Sequence, residues 1–528
     1  MTSDSATPDP QTAAAPGEAA ALRAVIFLGA SSMDLMISET AGENARIIDV
    51  LTQPVPLARD IFRKGYISRT TMDRCVQIMD DYMALLREYG TGTTLDISFL
   101  ATNIVQDMAN MDTFMNRLHI AHGLRLRVID DGEMTRLIYM SVRAVLRKNP
   151  DLLKKRVLVV HAGPGNTRLL LFEKGRITRY SSYRLGTHRT GETIGDIDYS
   201  DDSTEITLVR EHIRGQIDQI QHDFHNISPP DTIIIIGAEI QKLLPLLNPK
   251  NNAAINAADI SSLAEHIASK SVEQRMIKLE QDYSSIASIL PALIINLSIA
   301  QLFGSSRIII PPTNYGTDFL NSLILSHTDT MALEDEVLHF AALLSDRYQA
   351  DRAHSRQVAK LGCMLFDALQ NLHRLGKHDR LLLHVAAILH EIGTYINPKR
   401  HHQHSQYIIL NSELFGLSRS DVEIIALLAR YHRHGAPTTD EPTYAELEPL
   451  DRLRVQKLAA ILRVADALER SHSQRIRKLG VRIADKRLEI LVEGLNDITI
   501  ENMAMSQKGD LFTDIFGYEI ALIPTFSR

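Results

Sequence analysis

Twice in the first 170 residues, a short apolar run enters a small-residue turn and a second apolar run leaves it. RAVIFLG (Arg23–Gly29) leads through Gly29, Ala30, Ser31 and Ser32 into DLMIS, and VLVVHA leads through Gly163, Pro164, Gly165, Asn166 and Thr167 into RLLLF. Such a strand–turn–strand unit offers backbone N–H groups to an anion such as phosphate. Its repetition constrains the fold to two similar α/β lobes whose turns face a shared cleft, a usual seat for a ligand. The surrounding patterns agree: helical spacing over Thr70–Tyr89 and Glu133–Leu146, and strand-like runs in TLDISFLAT, LRLRVID, DTIIIIGAE and SRIIIPPTNYG. After about Thr330 the period becomes helical, from Ala332 to Arg475, and Leu479–Arg528 alternates again. The expected organisation is a disordered tail (1–22), two lobes (23–150 and 151–330), an all-α domain (331–476) and a small β-rich cap (477–528).

A chain of 528 residues is too long for one core, which fits several domains. Its 57 Lys+Arg and 64 Asp+Glu give a net charge of −7, against a general nucleic-acid binder. Two cysteines, Cys75 and Cys363, make no disulfide framework, so a reducing cytoplasm is expected. The Pro-, Ala- and Asp-rich start lacks the features of a signal peptide. No apolar run is read as reaching the roughly 20 residues of a membrane helix, so no membrane partner is expected.

Turns that act on phosphate normally carry an acid to hold Mg²⁺ or position water. Here the nearest positions hold His161 and Arg168. RAVIFLGASSMDLMIS, ATNIVQDMANMDTFMNRL, VIDDGEMTRLIYMSV, VLVVHAGPGNTRLLLF and AAILHEIGTYINPKRHHQHSQYIILNSEL together resemble the Ppx/GppA family of exopolyphosphatases and guanosine pentaphosphate phosphohydrolases. The resemblance implies an actin/sugar-kinase-like pair of lobes followed by an HD-like helical domain. It also implies Mg²⁺ in the cleft, polyphosphate or guanosine penta/tetraphosphate as ligand, and a homodimer. Carried over position by position, the family's first acid is Phe27, those of the second turn are His161 and Arg168, and the catalytic Glu is Met134, with Glu133 one residue earlier. A later small-polar loop corresponds to Gly237–Gln241, and an Arg-Glu-Gly segment is replaced around Gly316–Asp318. Phosphate contacts would come from Gly29, Ser31, Ser32, Gly163, Gly165, Asn166, Thr167 and Arg168, with Glu133 as the remaining catalytic candidate. Phe27 and His161 cannot hold Mg²⁺ as a carboxylate does, and Pro164 removes one N–H from its turn. Three readings stay open for the cleft: hydrolase, anion-binding regulator, or inherited turns with no ligand.

The HD resemblance implies a divalent transition metal held by His354, His390, Glu391 and Asp466, with His404 and His432 as candidate ligands for a second metal. Imidazole and carboxylate suit Mn, Fe, Zn or Mg. Glu391 stands where the signature has Asp; its extra methylene displaces the carboxylate by about 1.5 Å, against a tolerance of about 0.2 Å in metal distances. The competing reading makes His390 a hydrogen-bonded core residue. It pairs Asp466 with Arg463 or Arg470, and sets His401, His402 and His404 in a solvated basic patch with Lys399 and Arg400 that holds a polyanion by charge.

Overall fold

The computed structural model describes residues 21–41, 44–89, 95–195, 202–247, 255–304, 307–311, 320, 330–433, 435–484, 486–493 and 497–525. Most of the expected tail and the Gly316–Asp318 segment lie outside these residues.

The repeated unit builds two five-stranded sheets. Strands β1 (Ala21–Leu28), β2 (Ser32–Ala41), β3 (Asn44–Pro54), β4 (Leu95–Ala101) and β5 (Arg127–Val128) form the first, in the order β3-β2-β1-β4-β5. β1, β2 and β3 are antiparallel, and β4 and β5 run parallel to β1. Strands β6 (Val157–Ala162), β7 (Thr167–Glu173), β8 (Arg176–Tyr183), β9 (Thr232–Ile236) and β10 (Ile308–Ile309) repeat that order as β10-β9-β6-β7-β8. Every residue of β6 and β9 is buried, which accounts for their unbroken apolar runs. The expected strand LRLRVID shrinks to two residues, and β3 was not expected at all; its exposed Ile47, Ile48 and Val50 follow no clean alternation.

The chain folds into two compact units that do not follow the expected boundaries. The first comprises 1–129, 159–167 and 182–328; the second comprises 130–158, 168–181 and 329–528. Within the first, helix Tyr283–Phe303 corrects the reading that no apolar run approaches membrane length. Its stretch Ser285–Phe303 is 19 residues long, and 78% of it is buried, so it serves as a core helix. Cys75 and Cys363 are free and buried; burial pushes their thiols up to about 12 and about 11, which leaves them unreactive.

Within the second unit, Asp130 caps helix Asp131–Lys148 through the Glu133 N–H, and its other oxygen accepts from the Arg419 N–H. Gly132 touches the Leu417 backbone so closely that a Cβ there would lie 1.8 Å from the Leu417 carbonyl oxygen. Tyr139, Tyr180 and Phe340 surround Phe415. The helical region contains helices Arg352–Ala368, Lys377–Leu389, His401–Leu410, Arg419–Tyr431 and Pro449–Leu468. The final segment is not purely β. Strands β11 (Leu479–Ala484), β12 (Arg487–Glu493) and β13 (Glu519–Thr525) form one sheet, and helices Thr499–Lys508 and Asp510–Phe516 lie between β12 and β13. Those helices bury Ala504, Met505, Leu511 and Phe512, a helical spacing that the alternation around them obscures.

Candidate functional site

Both turns belong to the first unit, and each spends donors on itself. The Gly29 N–H donates to the Ser32 carbonyl (2.8 Å), and the Ser32 hydroxyl to Asp34 (3.0 Å). In the second turn the Gly163 N–H donates to the Asn166 carbonyl (3.0 Å) and the Thr167 hydroxyl to the Leu185 carbonyl (2.5 Å). Helix Thr187–Ile194 is seated on this turn: its Thr187 and Arg189 N–H groups donate to the Gly163 and Pro164 carbonyls. A Cβ on Gly186 would lie 2.2 Å from the Pro164 oxygen, so only glycine allows that approach.

The face of the second turn is covered as well. A Cβ on Gly165 would meet Ile104 at 3.1 Å and Phe62 at 3.7 Å. Arg189 spans the same place, donating to the Gly165 carbonyl (3.2 Å) and to Asp107 (2.6 Å), with its guanidinium 4.6 Å from the Phe62 ring centre.

Three of the four positions where acids were sought are apolar or imidazole, and buried: Phe27, His161 and Met134. Arg168 differs from its expected role. It is 3% exposed, and its guanidinium donates to Asp131, so its fork is engaged within the second unit. Glu133 sits in the first turn of helix Asp131–Lys148, also in the second unit.

Two carboxylates near the turns escaped the sequence reading. Asp34 sits two residues beyond the first turn; burial raises it, against hydrogen bonds from Thr52 and Ser32 and the charge of Lys242. Glu239, in the first turn of helix Ala238–Lys242 where a loop was expected, accepts from the Thr187 hydroxyl (3.1 Å) and pairs with His188 (3.3 Å). Burial works to raise Glu239, but the His188 contacts outweigh it and hold it below the usual range. A cavity of about 550 Å³ lies in the same unit, with Arg63, Lys270 and Arg275 in its lining. Arg63 is paired with Glu192 and Arg275 with Glu205.

The helical region is built the other way round. Asp351 caps helix Arg352–Ala368 by accepting from the Ala353 and His354 N–H groups, which fixes His354 in the first turn. His390 and Glu391 follow helix Lys377–Leu389, and Asp466 lies in the last turn of helix Pro449–Leu468. These elements bring all four expected residues together. His354 Nε2 is 3.5 Å from Asp466 and 3.9 Å from Glu391, so the longer side chain of Glu391 does reach the cluster. His354, His390 and Glu391 form one group of ligand atoms within 4.8 Å of one another, and His390, His432 and Asp466 form a second.

The backbone orients the imidazoles. His390 Nδ1 donates to the Ala387 carbonyl (2.8 Å), His432 Nδ1 to Ala429 (2.6 Å) and His401 Nδ1 to Pro398 (3.1 Å). With Nδ1 carrying the proton, Nε2 presents a lone pair, the arrangement used by imidazole ligands of metals. His401 and His432 then point Nε2 at each other across 3.2 Å. His390 Nε2 and both ring nitrogens of His354 are buried with no hydrogen-bond partner among the described residues. The expected His404 is half-buried and outside both groups; His401, read as part of a solvated patch, is the buried neighbour instead. It stands at the first position of its helix, behind the exposed Lys399 and Arg400, and nothing local in the sequence marks it as buried.

Charge sharpens the cluster. Burial holds His390 below its usual range and His432 well below it. Burial also works to lower His354, but Asp466 and Glu391 outweigh it and leave it raised. Asp466 is held well below the carboxylate range: burial works against this, and the Lys508 ammonium and the surrounding imidazoles overcome it. The expected Asp466 partner, Arg463, instead donates to Asp510 and to the Tyr431 and Gly435 carbonyls.

The family model described as Ppx/GppA phosphatase family matches residues 36–327, and that described as Ppx/GppA phosphatase, domain III, matches 340–508. A guanosine-5'-triphosphate,3'-diphosphate pyrophosphatase of Aeromonas hydrophila is 22% identical over 463 residues, covering 84% of this chain and 86% of its own. The protein of that name from Photobacterium profundum is 22% identical over 455 residues, with the same coverages. Among solved structures, the Aquifex aeolicus Ppx/GppA family member aligns with 58% of this chain and 99% of its own, at 19% identity and a TM-score of 0.46. An exopolyphosphatase from Cytophaga hutchinsonii aligns with 58% of this chain and 98% of its own, at 15% identity and a TM-score of 0.49.

Proposed function

Because this chain belongs to the Ppx/GppA phosphatase family, we propose that it binds polyphosphate or guanosine penta/tetraphosphate and hydrolyses it far more slowly than a member with intact acids. The observation that carries this reading is the replacement of three acid positions by buried Phe27, His161 and Met134. Phosphoanhydride hydrolysis needs a placed water and neutralised phosphoryl oxygens, and none of these side chains supplies either through a carboxylate. The backbone of Gly29, Ser31 and Ser32 and of Gly163, Gly165, Asn166 and Thr167 remains the phosphate-contacting element, reached when Arg189 and Phe62 move off the second turn. Arg168 is left out of that contact set because Asp131 holds it. Mg²⁺ would arrive with the phosphate rather than on a resident carboxylate pair. Binding to immobilised polyphosphate, measured beside phosphate release in Mg²⁺, tests the reading: retention without release supports it, and rapid release overturns it.

A second reading rests on the buried cluster, which fits a divalent transition ion by its donor set. His354, His390, His432, Glu391 and Asp466 would hold it, and the ion would supply Lewis-acid or hydrolytic chemistry when bound. The unpartnered His390 Nε2 supports this, since a buried polar atom left without a partner is costly. Elemental analysis of protein purified without added metal tests it. About one equivalent of metal, lost in His390→Ala, supports a metal centre; none in the native protein, together with no uptake on adding ions, overturns it. The protein is further read as a cytoplasmic homodimer, which equilibrium sedimentation would check.

A further inference from the structure

The cluster already contains a cation. Lys508 closes helix Thr499–Lys508, in the segment between β12 and β13, and it is only 7% exposed. Lysine is almost never this buried unless paired. Its ammonium contacts Asp466 Oδ2 directly, while His354 approaches Oδ1. The segment carrying Lys508 docks through further polar pairs on or just after helix Pro449–Leu468. Arg463 holds Asp510 at 2.9 Å, Arg475 holds Glu501 at 3.2 Å, and the Ser471 hydroxyl donates to Glu501 at 2.9 Å. One contact therefore belongs both to the docking of this segment and to the cluster.

We propose that Lys508 is a gate on the metal centre: its ammonium takes the place of an ion beside Asp466, and a divalent ion enters the His390–His432–Asp466 group only as Lys508 leaves. The inference rests on the metal reading above and adds its regulation. Asp466 is shared: Lys508 contacts it, and its carboxylate also lies within 4.8 Å of the ligand nitrogens of His390 and His432. An ammonium and a divalent ion on the same buried carboxylate repel each other in a medium that screens poorly. Loading the ion thus frees the end of helix Thr499–Lys508 and loosens the segment it anchors.

The test titrates the full-length protein with Co(II) alone, following the visible absorption of the coordinated ion. Lys508→Met keeps the apolar stem and removes the charge, Lys508→Arg keeps the charge, and Asp466→Asn removes the shared carboxylate. Lys508→Met should bind one equivalent at least tenfold more tightly than the native protein, Lys508→Arg should match the native protein, and Asp466→Asn should bind least. Equal affinity in Lys508→Met and native protein overturns the gate and leaves the metal centre standing. No Co(II) binding by any folded variant, or unchanged binding in Asp466→Asn, overturns the metal centre and the gate with it. Should Lys508→Met not fold, amide exchange of residues 499–508 in the native protein decides. Faster exchange with Co(II) bound supports the gate, and unchanged exchange overturns it.

Discussion

The second turn of the α/β region and the cluster around Asp466 both gather polar groups, but they satisfy them differently. At the turn, the Gly163 N–H, the Thr167 hydroxyl and the first amides of helix Thr187–Ile194 all find acceptors nearby. In the cluster, backbone carbonyls take the Nδ1 protons of His390, His432 and His401, while His390 Nε2 stays without a hydrogen bond in a buried place and His354 faces Asp466 at 3.5 Å. Satisfied polar groups are what a structural turn needs. Unsatisfied ones mark a place where something else is expected to bind. The familiar motif is thus the better satisfied of the two regions, and the buried His390 Nε2, left without a hydrogen bond, lies in the helical region.

The comparison breaks most visibly if Asp466 can be removed cheaply. Asp466→Ala strands the buried Lys508 ammonium, and breaking a buried pair in this way costs about 3–5 kcal/mol. Urea unfolding of the full chain should show that loss; a change below about 1 kcal/mol would mean that water reaches the cluster. Gly186→Ala comes next, at about 1–3 kcal/mol, because its Cβ must displace the Pro164 carbonyl. A neutral result there, by the same unfolding measurement, would show that the second turn is loosely seated and free to open.

Acid should weaken the helical region through histidines outside the cluster. His373 accepts from the Leu375 N–H and donates to the Phe366 carbonyl, which needs a neutral ring, and burial holds it below its usual range. Burial, with the nearby Arg380 charge, pushes His384 down to about 4. The unfolded chain then binds more protons than the folded one below about pH 6.5, so this stability is complete above 6.5 and is lost as pH falls toward 4. Each such proton contributes about 1.4 kcal/mol per pH unit inside that window. His378, raised by its bond to Asp421, has the opposite sign: its contribution is complete below its unfolded pKa of about 6.5 and is lost as pH rises through its raised folded value. Comparing the native protein with His384→Leu isolates the acid-labile part, and identical slopes between pH 6.5 and 4 would refute it.

The smallest effect concerns the cover over the second turn. Arg189→Ala removes the Asp107 pair and the Phe62 contact, a partly exposed interaction of about 0.2–1 kcal/mol. Polyphosphate binding should tighten by at most about fivefold if the turns are the phosphate seat. Unchanged binding in Arg189→Ala, with loss in Lys270→Glu, would move the seat to the neighbouring cavity.

The repeated strand–turn–strand unit was legible because its apolar runs and glycines are local, and the observed order β3-β2-β1-β4-β5 recurs in the second sheet. The compact units were not legible: helix Asp131–Lys148 groups with residues far along the chain through contacts such as Gly132 on Leu417. In the cluster, His354, His390, Glu391 and Asp466 were readable only through the resemblance to the HD pattern. His401 was hidden in a run that reads as a charged surface, and Lys508 came from a helix masked by the alternating pattern around it. Neither has a local signature, since a buried lysine and a surface lysine are written alike. Arg168 failed for the same reason: nothing nearby in sequence says that Asp131 will take its guanidinium.

We propose that the α/β region hydrolyses phosphoanhydrides far more slowly than a family member with intact acids. Phosphate release from polyphosphate and from guanosine pentaphosphate by the purified full-length protein, in Mg²⁺, tests it most directly. Loss of a general base alone typically lowers rates by about 10²–10⁴-fold, so release at least that far below an ordinary phosphohydrolase is expected, unchanged in Glu133→Gln. Turnover at ordinary enzyme rates, abolished by Glu133→Gln, would contradict the claim and make Glu133 the working acid.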